Sequence, residues 1–417
     1  MPLFEKSTDA FAALRIREFS YFLSFRFFVT IATLMQSVIV GWQMYSLTHN
    51  PLDLGLIGLA EAIPAICIAL FAGHIADKYD RKTIILIALI VFLIGVLILL
   101  SCSIEQFGLL RKLGIWPIFL VVGLSGFARG FIYPSAFGLM AQIVPRSLYT
   151  NSSTWNSVIW HIGAVTGPAI GGLIYGFKGV EAAYGGVLFF TLVALLLLIP
   201  IKKKLVILSE KVETLKDRLL TGLRFVFSNQ VMLGAMTLDM FAVLFGGAVA
   251  MLPIFANEIL HVGPEGLGVL RAAPAVGSIC MSFFLAYYPP LKNAGKSLIF
   301  GVFGFGVCMI LFALSTNFYL SLMLLMFSGM FDNISVVIRS TIMQLMTPDD
   351  VRGRVASVNS IFIGSSNEIG SFESGLAASL MGLVPSVIFG GAMTLLVVSV
   401  TAVVAPVLRK LNLSAFK

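Results

Sequence analysis

Charged side chains stand inside the longest apolar stretches of this sequence, where they could bind protons or pair with one another. These residues are Arg26, Glu61, Arg129, Asp239, Arg271, Asp332, Arg339, Glu368 and Glu373. Ionised groups are costly inside a bilayer, so each is a functional candidate. Desolvation favours the protonated form of a carboxyl group and a nearby arginine favours the ionised form, so a conformational change could switch such a pair.

The composition of the chain places these charges in a membrane protein. Of its 417 residues, 58% are hydrophobic and 12% are charged, and its mean hydropathy is +0.98. Soluble proteins carry about 25% charged residues. Residues 1–17 are mixed in charge and lack a continuous apolar run, so we expect no cleavable signal peptide and a cytoplasmic start.

Apolar runs of sufficient length predict twelve membrane spans. A hydrocarbon core about 30 Å thick requires about 20 residues of helix. The predicted spans are 19–46, 52–75, 83–103, 116–142, 150–176, 183–201, 230–255, 265–288, 297–315, 317–346, 353–382 and 384–408. An even number of spans puts both termini on one side, which we expect to be the cytoplasm.

The net charge of +8 reflects membrane topology rather than an acidic partner. Most lysines and arginines fall in predicted cytoplasmic segments, whereas Arg111, Lys112 and Lys178 fall in predicted external loops. This asymmetry follows the positive-inside rule. It explains the net positive charge of the chain without a nucleic-acid partner.

No motif indicates an enzyme, a metal or a cofactor. The four cysteines lie in or at the ends of apolar spans, without CxxC spacing or a histidine cluster. The sequence also lacks a nucleotide-binding glycine loop, a zinc motif and a nucleophile elbow. We therefore expect neither catalysis nor a cofactor.

A compact polar segment, from Gly73 to Lys82, separates the second and third spans. Its cations Lys78, Arg81 and Lys82 mark it as a cytoplasmic turn. The small Gly73 lets helix ends approach closely. Asp77 could cap a neighbouring helix and pair with the arginine.

This segment resembles the loop between helices two and three of the major facilitator superfamily, whose pattern is Gly-x-Leu-Ala-Asp-Arg-x-Gly-Arg-Lys. Lys78 replaces the first arginine, and Asp80 stands where most members have glycine. An acidic residue there is similar to the branch of enterobactin exporters and macrolide efflux pumps. The alternative is that any cytoplasmic hairpin of a membrane protein is basic.

Glycines at intervals of four form a groove in the fifth span. Gly163, Gly167 and Gly171 lie on one helical face, where a neighbouring helix could pack against the backbone. Pro168 removes a helical hydrogen bond and permits a kink. With Gly172, the string resembles the superfamily motif Gly-x-x-x-Gly-Pro-x-x-Gly-Gly of exporters that exchange substrate for protons, which implies a hinge. Ordinary close packing of small residues is the alternative.

The two halves of the chain show internal similarity. When the first half of the sequence is shifted so that its polar and proline positions align with those of the second half, Gly167 also aligns with Gly370. The superfamily resemblance implies an all-α integral membrane protein of two pseudo-symmetric six-helix bundles, with substrate bound between them. We expect these bundles at 1–201 and 230–417, joined by a cytoplasmic amphipathic linker at 202–229.

The resemblance also implies that spans one, four, seven and ten line a central cavity. Arg26, Arg129, Asp239 and Asp332 could then face one aqueous space. We expect Asp239 or Asp332 to carry a coupling proton, with Arg129 tuning or competing for it. The alternative is a permanent structural ion pair.

A second set of charges lies nearer the predicted exterior. In the family fold, spans two, five, eight and eleven form the seam between the halves. Glu61, Arg271 and Glu373 could form an external gate there. Separate roles in local packing are the alternative.

Together these features predict a proton-coupled exporter of bulky amphipathic molecules, such as a siderophore or a drug. We expect a monomer in the bacterial inner membrane whose partners are a small-molecule substrate, protons and the lipid bilayer. One alternative is another carrier, such as a lysolipid flippase or a metabolite symporter. Another is a non-transporting membrane receptor or scaffold.

Overall fold

The computed structural model describes residues 9–104, 112–204, 215–246, 248–348 and 351–413. Within these residues the chain is helical, with no β-strand. The α-helices are α1 (Arg17–Thr48), α2 (Pro51–Lys78), α3 (Arg81–Ser103), α4 (Trp116–Ile143), α5 (Tyr149–Leu198), α6 (Leu215–Ser228), α7 (Gln230–Phe245), α8 (Leu252–Ile254), α9 (Pro264–Tyr287), α10 (Ala294–Leu314), α11 (Phe318–Met346), α12 (Arg352–Met381), α13 (Leu383–Val404) and α14 (Pro406–Arg409). Short 3₁₀-helices cover Ala13–Arg15, Arg146–Leu148 and Ala248–Met251, and a π-helical turn covers Phe255–Ile259.

The helices account for the twelve predicted spans. Ten helices of the described chain are long and apolar enough to cross a membrane. One of them, α5, contains two predicted spans that meet at Gly179, where φ is +83° and the helix is kinked. The more polar α12 corresponds to the eleventh span and is not among the ten. The prediction of an all-α membrane protein with twelve spans is confirmed.

Polar residues begin several of these helices. Asp80 accepts a hydrogen bond from the backbone N–H of Thr83 at 2.9 Å and so caps α3. Asn229 caps α7 and Asn317 caps α11 in the same way. Such side chains satisfy donors that the first helical turn leaves unpaired.

The contacts divide the chain into two compact units. Unit 1 comprises Met1–Ile39 and Ile63–Glu210, and unit 2 comprises Val40–Ala62 and Lys211–Lys417. The end of α1 and the start of α2 therefore belong to the unit that holds the second half of the chain. The domain boundaries expected from the internal repeat stay a prediction.

Equivalent glycines pack on equivalent helices within each unit. A Cβ added to Gly167 of α5 would lie 3.1 Å from the carbonyl oxygen of Ile31 in α1. A Cβ added to Gly370 of α12 would lie 2.7 Å from the carbonyl oxygen of Leu244 in α7. Since α1 and α7 each begin one half, these contacts repeat the same packing and agree with the similarity seen in the sequence.

The amphipathic helix α6 packs within unit 2. Val226 is fully buried and clusters with Val355 and Val358 of α12. Leu220 and Phe227 remain 48% and 60% exposed. Part of the apolar face of α6 is thus used for protein packing and part points outward.

Candidate functional site

A buried ion pair joins α7 to α11 in unit 2. Asp239 and Arg339 are only 4% and 5% exposed, and the arginine Nη1 contacts the aspartate carboxylate. Ser335 Oγ donates a second bond to Asp239 Oδ1 at 3.1 Å. The sequence identifies Arg339 only as a buried charge, because nothing in it shows which acid the arginine meets about a hundred residues away. Loss of one partner of such a pair leaves an uncompensated buried charge.

Asp332 shares this face of α11 without joining the ion pair. It precedes Ser335 by three residues and Arg339 by seven, spacings that place all three side chains on one side of a helix. Asp332 is half-buried, and it has no hydrogen bond or ion pair among the described residues. Its carboxyl group is therefore available to bind or release a proton.

Two arginines of unit 1 converge on one tyrosine. The guanidinium of Arg26 lies 5.4 Å from the ring centre of Tyr133, and that of Arg129 lies 5.9 Å from it. Arg26 Nε donates to Asn156 Oδ1 at 3.4 Å. The predicted effect of Arg129 on Asp239 stays a prediction, because the two residues belong to different units.

The predicted gate residue Arg271 lies among acids within unit 2. The charges of Glu61 and Glu368 act on its guanidinium, and its Nη2 donates to the carbonyl oxygen of Val249 at 3.4 Å. The charge of Glu61 thus acts on Arg271, as a pairing of these two gate candidates would require. Its function as a gate stays a prediction.

Glu373, the third expected gate residue, does not take part in this cluster. It is half-buried on α12 and has no hydrogen bond or ion pair among the described residues. Glu368 precedes it by five residues, which turns the two side chains about 140° apart on a helix. The charge of Glu368 acts on Arg271, and the gate role predicted for Glu373 stays a prediction.

A second polar contact in unit 2 was not indicated by the sequence. The hydroxyl group of Tyr45, a residue only 2% exposed, donates to Glu258 Oε1. Glu258 lies in the π-helical turn Phe255–Ile259, and the ring of Tyr45 also contacts His49, with centroids 5.3 Å apart. This turn follows an interruption of the seventh predicted span, where α7 ends at Phe245. π-helical turns often occur at functional sites.

The start of α2 packs directly against α12 through glycines. A Cβ on Gly375 would lie 2.7 Å from the Cα of Gly55, and a Cβ on Gly58 would lie 2.7 Å from Ser371 Cβ. Backbones this close leave no space for a solute between the two helices. The contact lies beside Glu61, one turn further along α2.

The polar segment from Gly73 to Lys82, in which α2 ends and α3 begins, contacts the end of α5. Lys82 Nζ donates to the carbonyl oxygens of Ile199 at 2.8 Å and Ile201 at 2.6 Å, and Arg81 Nη1 donates to the carbonyl oxygen of Gly138 at 3.0 Å. The cation thus satisfies carbonyls that a helix end leaves free. The side chains at positions 73 and 77 lie outside the described part, so the role predicted for Asp77 stays a prediction.

Asp80, one of the two departures from the family pattern, has a structural role. Besides capping α3, its Oδ1 accepts a hydrogen bond from the backbone N–H of Lys204 at 3.3 Å. Lys204 is also ion-paired with Glu18 of α1 at 2.7 Å. The segment after α5 is therefore attached to both α1 and α3.

The predicted glycine groove of α5 is filled by α1. Added Cβ atoms would lie 2.7 Å from Thr30 Cγ2 at Gly163 and 2.9 Å from Met35 Cγ at Gly171. Pro168 lies inside α5, which continues to Gly179. The close approach of a neighbouring helix is thus present, while the hinge predicted for this motif, with Gly172, stays a prediction.

Comparison with known families decides the class of this protein. Residues 19–371 match the family described as Major Facilitator Superfamily. The chain belongs to this superfamily. Its members are membrane transporters of small molecules, so the resemblance stated from the sequence is confirmed.

Two curated relatives are named for quinolone resistance and for enterobactin export. The chain is 27% identical over 365 residues to the quinolone resistance protein NorA of Staphylococcus aureus (strain MSSA476), covering 85% of this chain and 88% of NorA. It is 25% identical over 337 residues to the enterobactin exporter EntS of Shigella flexneri, covering 79% of this chain and 77% of EntS.

Solved transporter structures share the fold. A bacterial homologue of the iron transporter ferroportin in an inward-facing state aligns with a TM-score of 0.73 at 16% identity, covering 95% of this chain and 99% of that one. A D-xylose–proton symporter aligns with a TM-score of 0.72 at 12% identity, covering 97% and 100%. At these identities the structures show the fold alone.

Proposed function

We propose that this superfamily member exports bulky amphipathic small molecules, such as a siderophore or a drug, in exchange for protons by alternating access. The efflux relatives NorA and EntS support the outward direction and the class of cargo. The observation that carries proton coupling is the half-buried carboxyl group of Asp332, which has no hydrogen bond or ion pair among the described residues.

Asp332 is the first candidate for the coupling proton because no salt bridge must be broken before it is protonated. Asp239 is the second, since protonation there requires release of Arg339. Neutralisation of a carboxylate inside a membrane removes much of the cost of moving it through an apolar environment. Proton binding at Asp332 would therefore favour one conformation of the surrounding helices over the other.

The contacts at the predicted external ends of the helices would form the gate. Arg271 with Glu61 and Glu368, and Tyr45 with Glu258, link the end of α1 and the start of α2 to the other elements of unit 2. Release of substrate to the exterior would require these contacts to open. Proton entry from the exterior would then reset the transporter.

We infer that the protein is a monomer of the bacterial inner membrane and that both of its termini are in the cytoplasm. The basis is the excess of lysine and arginine in alternate loops, which orients membrane proteins. The exposed apolar side chains of the helices, such as Ile87 and Leu196, suit contact with lipid.

Gradient-driven flux in sealed vesicles tests the proposed function. Purified protein is reconstituted into liposomes, a proton gradient is imposed, and the movement of a panel of fluorescent amphipathic dyes is recorded. We expect dye to move against its gradient in the direction opposite to protons, and an ionophore to stop it. A scaffold would move no dye under either condition, and a symporter would move dye in the same direction as protons.

A further inference from the structure

An apolar groove lies between α3 and α4 of unit 1, at the predicted external ends of these two helices. The helices touch beside it, where a Cβ added to Gly95 would lie 2.9 Å from Val121 Cγ1. The groove has a volume of about 880 Å³, which is within the range of sites that hold small organic ligands. We call it the α3–α4 groove, and its lining includes Leu97, Ser101, Cys102, Leu113, Trp116 and Pro117.

The lining of the α3–α4 groove suits a hydrocarbon chain. Cys102 and Pro117 are buried at its base, whereas Leu97 and Leu113 are exposed at its sides. The hydroxyl group of Ser101 already donates to the carbonyl oxygen of Leu97 at 2.7 Å, within the same helix. The groove therefore gains free energy by covering apolar surface rather than by new hydrogen bonds.

The length of the groove matches the acyl region of one membrane leaflet. It follows α3 from Ile94 to Cys102, a distance of about 12 Å at 1.5 Å per residue. Half of the hydrocarbon core of a bilayer is about 15 Å thick. Since α3 ends at Ser103 and α4 begins at Trp116, the groove extends inward from the membrane surface, as a lipid acyl chain does.

The mouth of the groove carries an indole ring and a cation. Trp116 is 75% exposed, and indole rings favour the depth of the lipid headgroups. Lys112 directly precedes the lining residue Leu113, is exposed and has no ion pair among the described residues. Cations are sparse on the external side of membrane proteins, so a lysine at this position needs an explanation other than topology. Lysines near a membrane surface attract anionic lipids.

We propose that the α3–α4 groove is a binding site for an anionic phospholipid. One acyl chain fills the groove, and the phosphate of the headgroup contacts the ammonium group of Lys112 at its mouth. This lipid is a bound partner of unit 1 and not the cargo, so the inference goes beyond the proposed function and does not depend on it.

Quenching of Trp116 by brominated lipids tests the site. The full-length protein is prepared with Trp116 as its only tryptophan, by changing Trp42, Trp155 and Trp160 to Phe. Dibrominated phosphatidylglycerol or dibrominated phosphatidylcholine is titrated into the protein in detergent micelles, and the loss of fluorescence is recorded. We expect saturable quenching, with the anionic phosphatidylglycerol bound about three- to fivefold more tightly, the factor that one lysine near an anionic headgroup supplies.

Two pairs of variants separate the headgroup from the acyl chain. Lys112→Gln should bring the affinities for the two lipids within about twofold of each other, whereas Lys178→Gln, at another exposed and predicted external cation, should keep the preference. Ser101→Phe fills the groove and should weaken the binding of both lipids by about fivefold or more. Its matched control is Ile87→Phe, at an exposed position of α3 outside the groove. Thermal unfolding without added lipid identifies any variant that fails to fold.

Equal affinity of the unaltered groove for the two lipids, or a preference for phosphatidylglycerol that survives Lys112→Gln, would overturn the proposed headgroup contact. Quenching that Ser101→Phe leaves unchanged would show that lipid reaches Trp116 from the general surface, and would overturn the groove. Displacement of the brominated lipid by transported dyes would assign the groove to the substrate and likewise reject a lipid site. None of these results bears on proton-driven flux, which tests the proposed function separately.

Discussion

Removal of either member of the Asp239–Arg339 pair should destabilise unit 2 strongly. Both side chains are about 6% exposed. Asp239→Asn leaves a buried guanidinium without its counter-ion, and Arg339→Gln leaves a buried carboxylate with only the bond from Ser335. Each single substitution should cost about 3–5 kcal/mol. The double substitution removes both charges, so it should cost at least about 2 kcal/mol less than the sum of the single ones.

The assay is unfolding of detergent-solubilised protein followed by tryptophan fluorescence, with all four members of the double-mutant cycle prepared in parallel. Asp332→Asn is the matched control, because it neutralises an acid on the same helix that has no ion pair among the described residues. It should leave stability unchanged within about 0.5 kcal/mol or increase it. Single substitutions that cost less than about 1 kcal/mol, or costs that simply add, would refute the buried pair.

Three further contacts give predictions of their own. Gly167→Ala places a Cβ 3.1 Å from a backbone oxygen of α1 and should cost about 1–3 kcal/mol in thermal unfolding; Gly185→Ala, which meets no atom within 4 Å, should be neutral or stabilising. Lys82→Met removes two bonds to the end of α5 and should cost about 1 kcal/mol after solvent screening, seen as faster proteolysis after that helix; an unchanged digestion rate would contradict this. Tyr45→Phe keeps the ring but loses the bond to Glu258, and should raise external labelling of a reporter cysteine in the last third of α1; unaltered labelling would show that this contact does not hold the helix.

The fold could be predicted from the sequence because a bilayer constrains it so strongly. Apolar runs of helical length give the spans, and most predicted boundaries lie within a few residues of the observed ones. Two departures have local causes. The fifth and sixth spans meet without an intervening loop because Gly179, with non-helical φ +83° and ψ 176°, turns the chain within a single residue. The seventh span is interrupted after Phe245, a change of helical geometry that hydropathy does not register.

The sequence predicts which residues belong to the candidate site but not which of them contact one another. A buried charge is visible in the sequence as a polar residue in an apolar run, so Asp239, Arg271 and Arg339 were all identifiable. Their partners depend on which helices pack and on the rotation of each helix, which the sequence leaves open. Depth in the membrane suggests Glu373 as a partner of Arg271, whereas the charge that acts on Arg271 from α12 is that of Glu368, about 140° away on the helix.

Transport by the Asp332→Asn variant tests the central claim most directly. The variant, the wild type and a Glu181→Gln control, which neutralises an exposed acid, are reconstituted and compared in two assays: dye accumulation driven by a proton gradient, and exchange of dye at equal concentrations without a gradient. The account predicts that Asp332→Asn loses driven accumulation but keeps exchange, while the control keeps both. Driven accumulation at the wild-type rate in Asp332→Asn would contradict it.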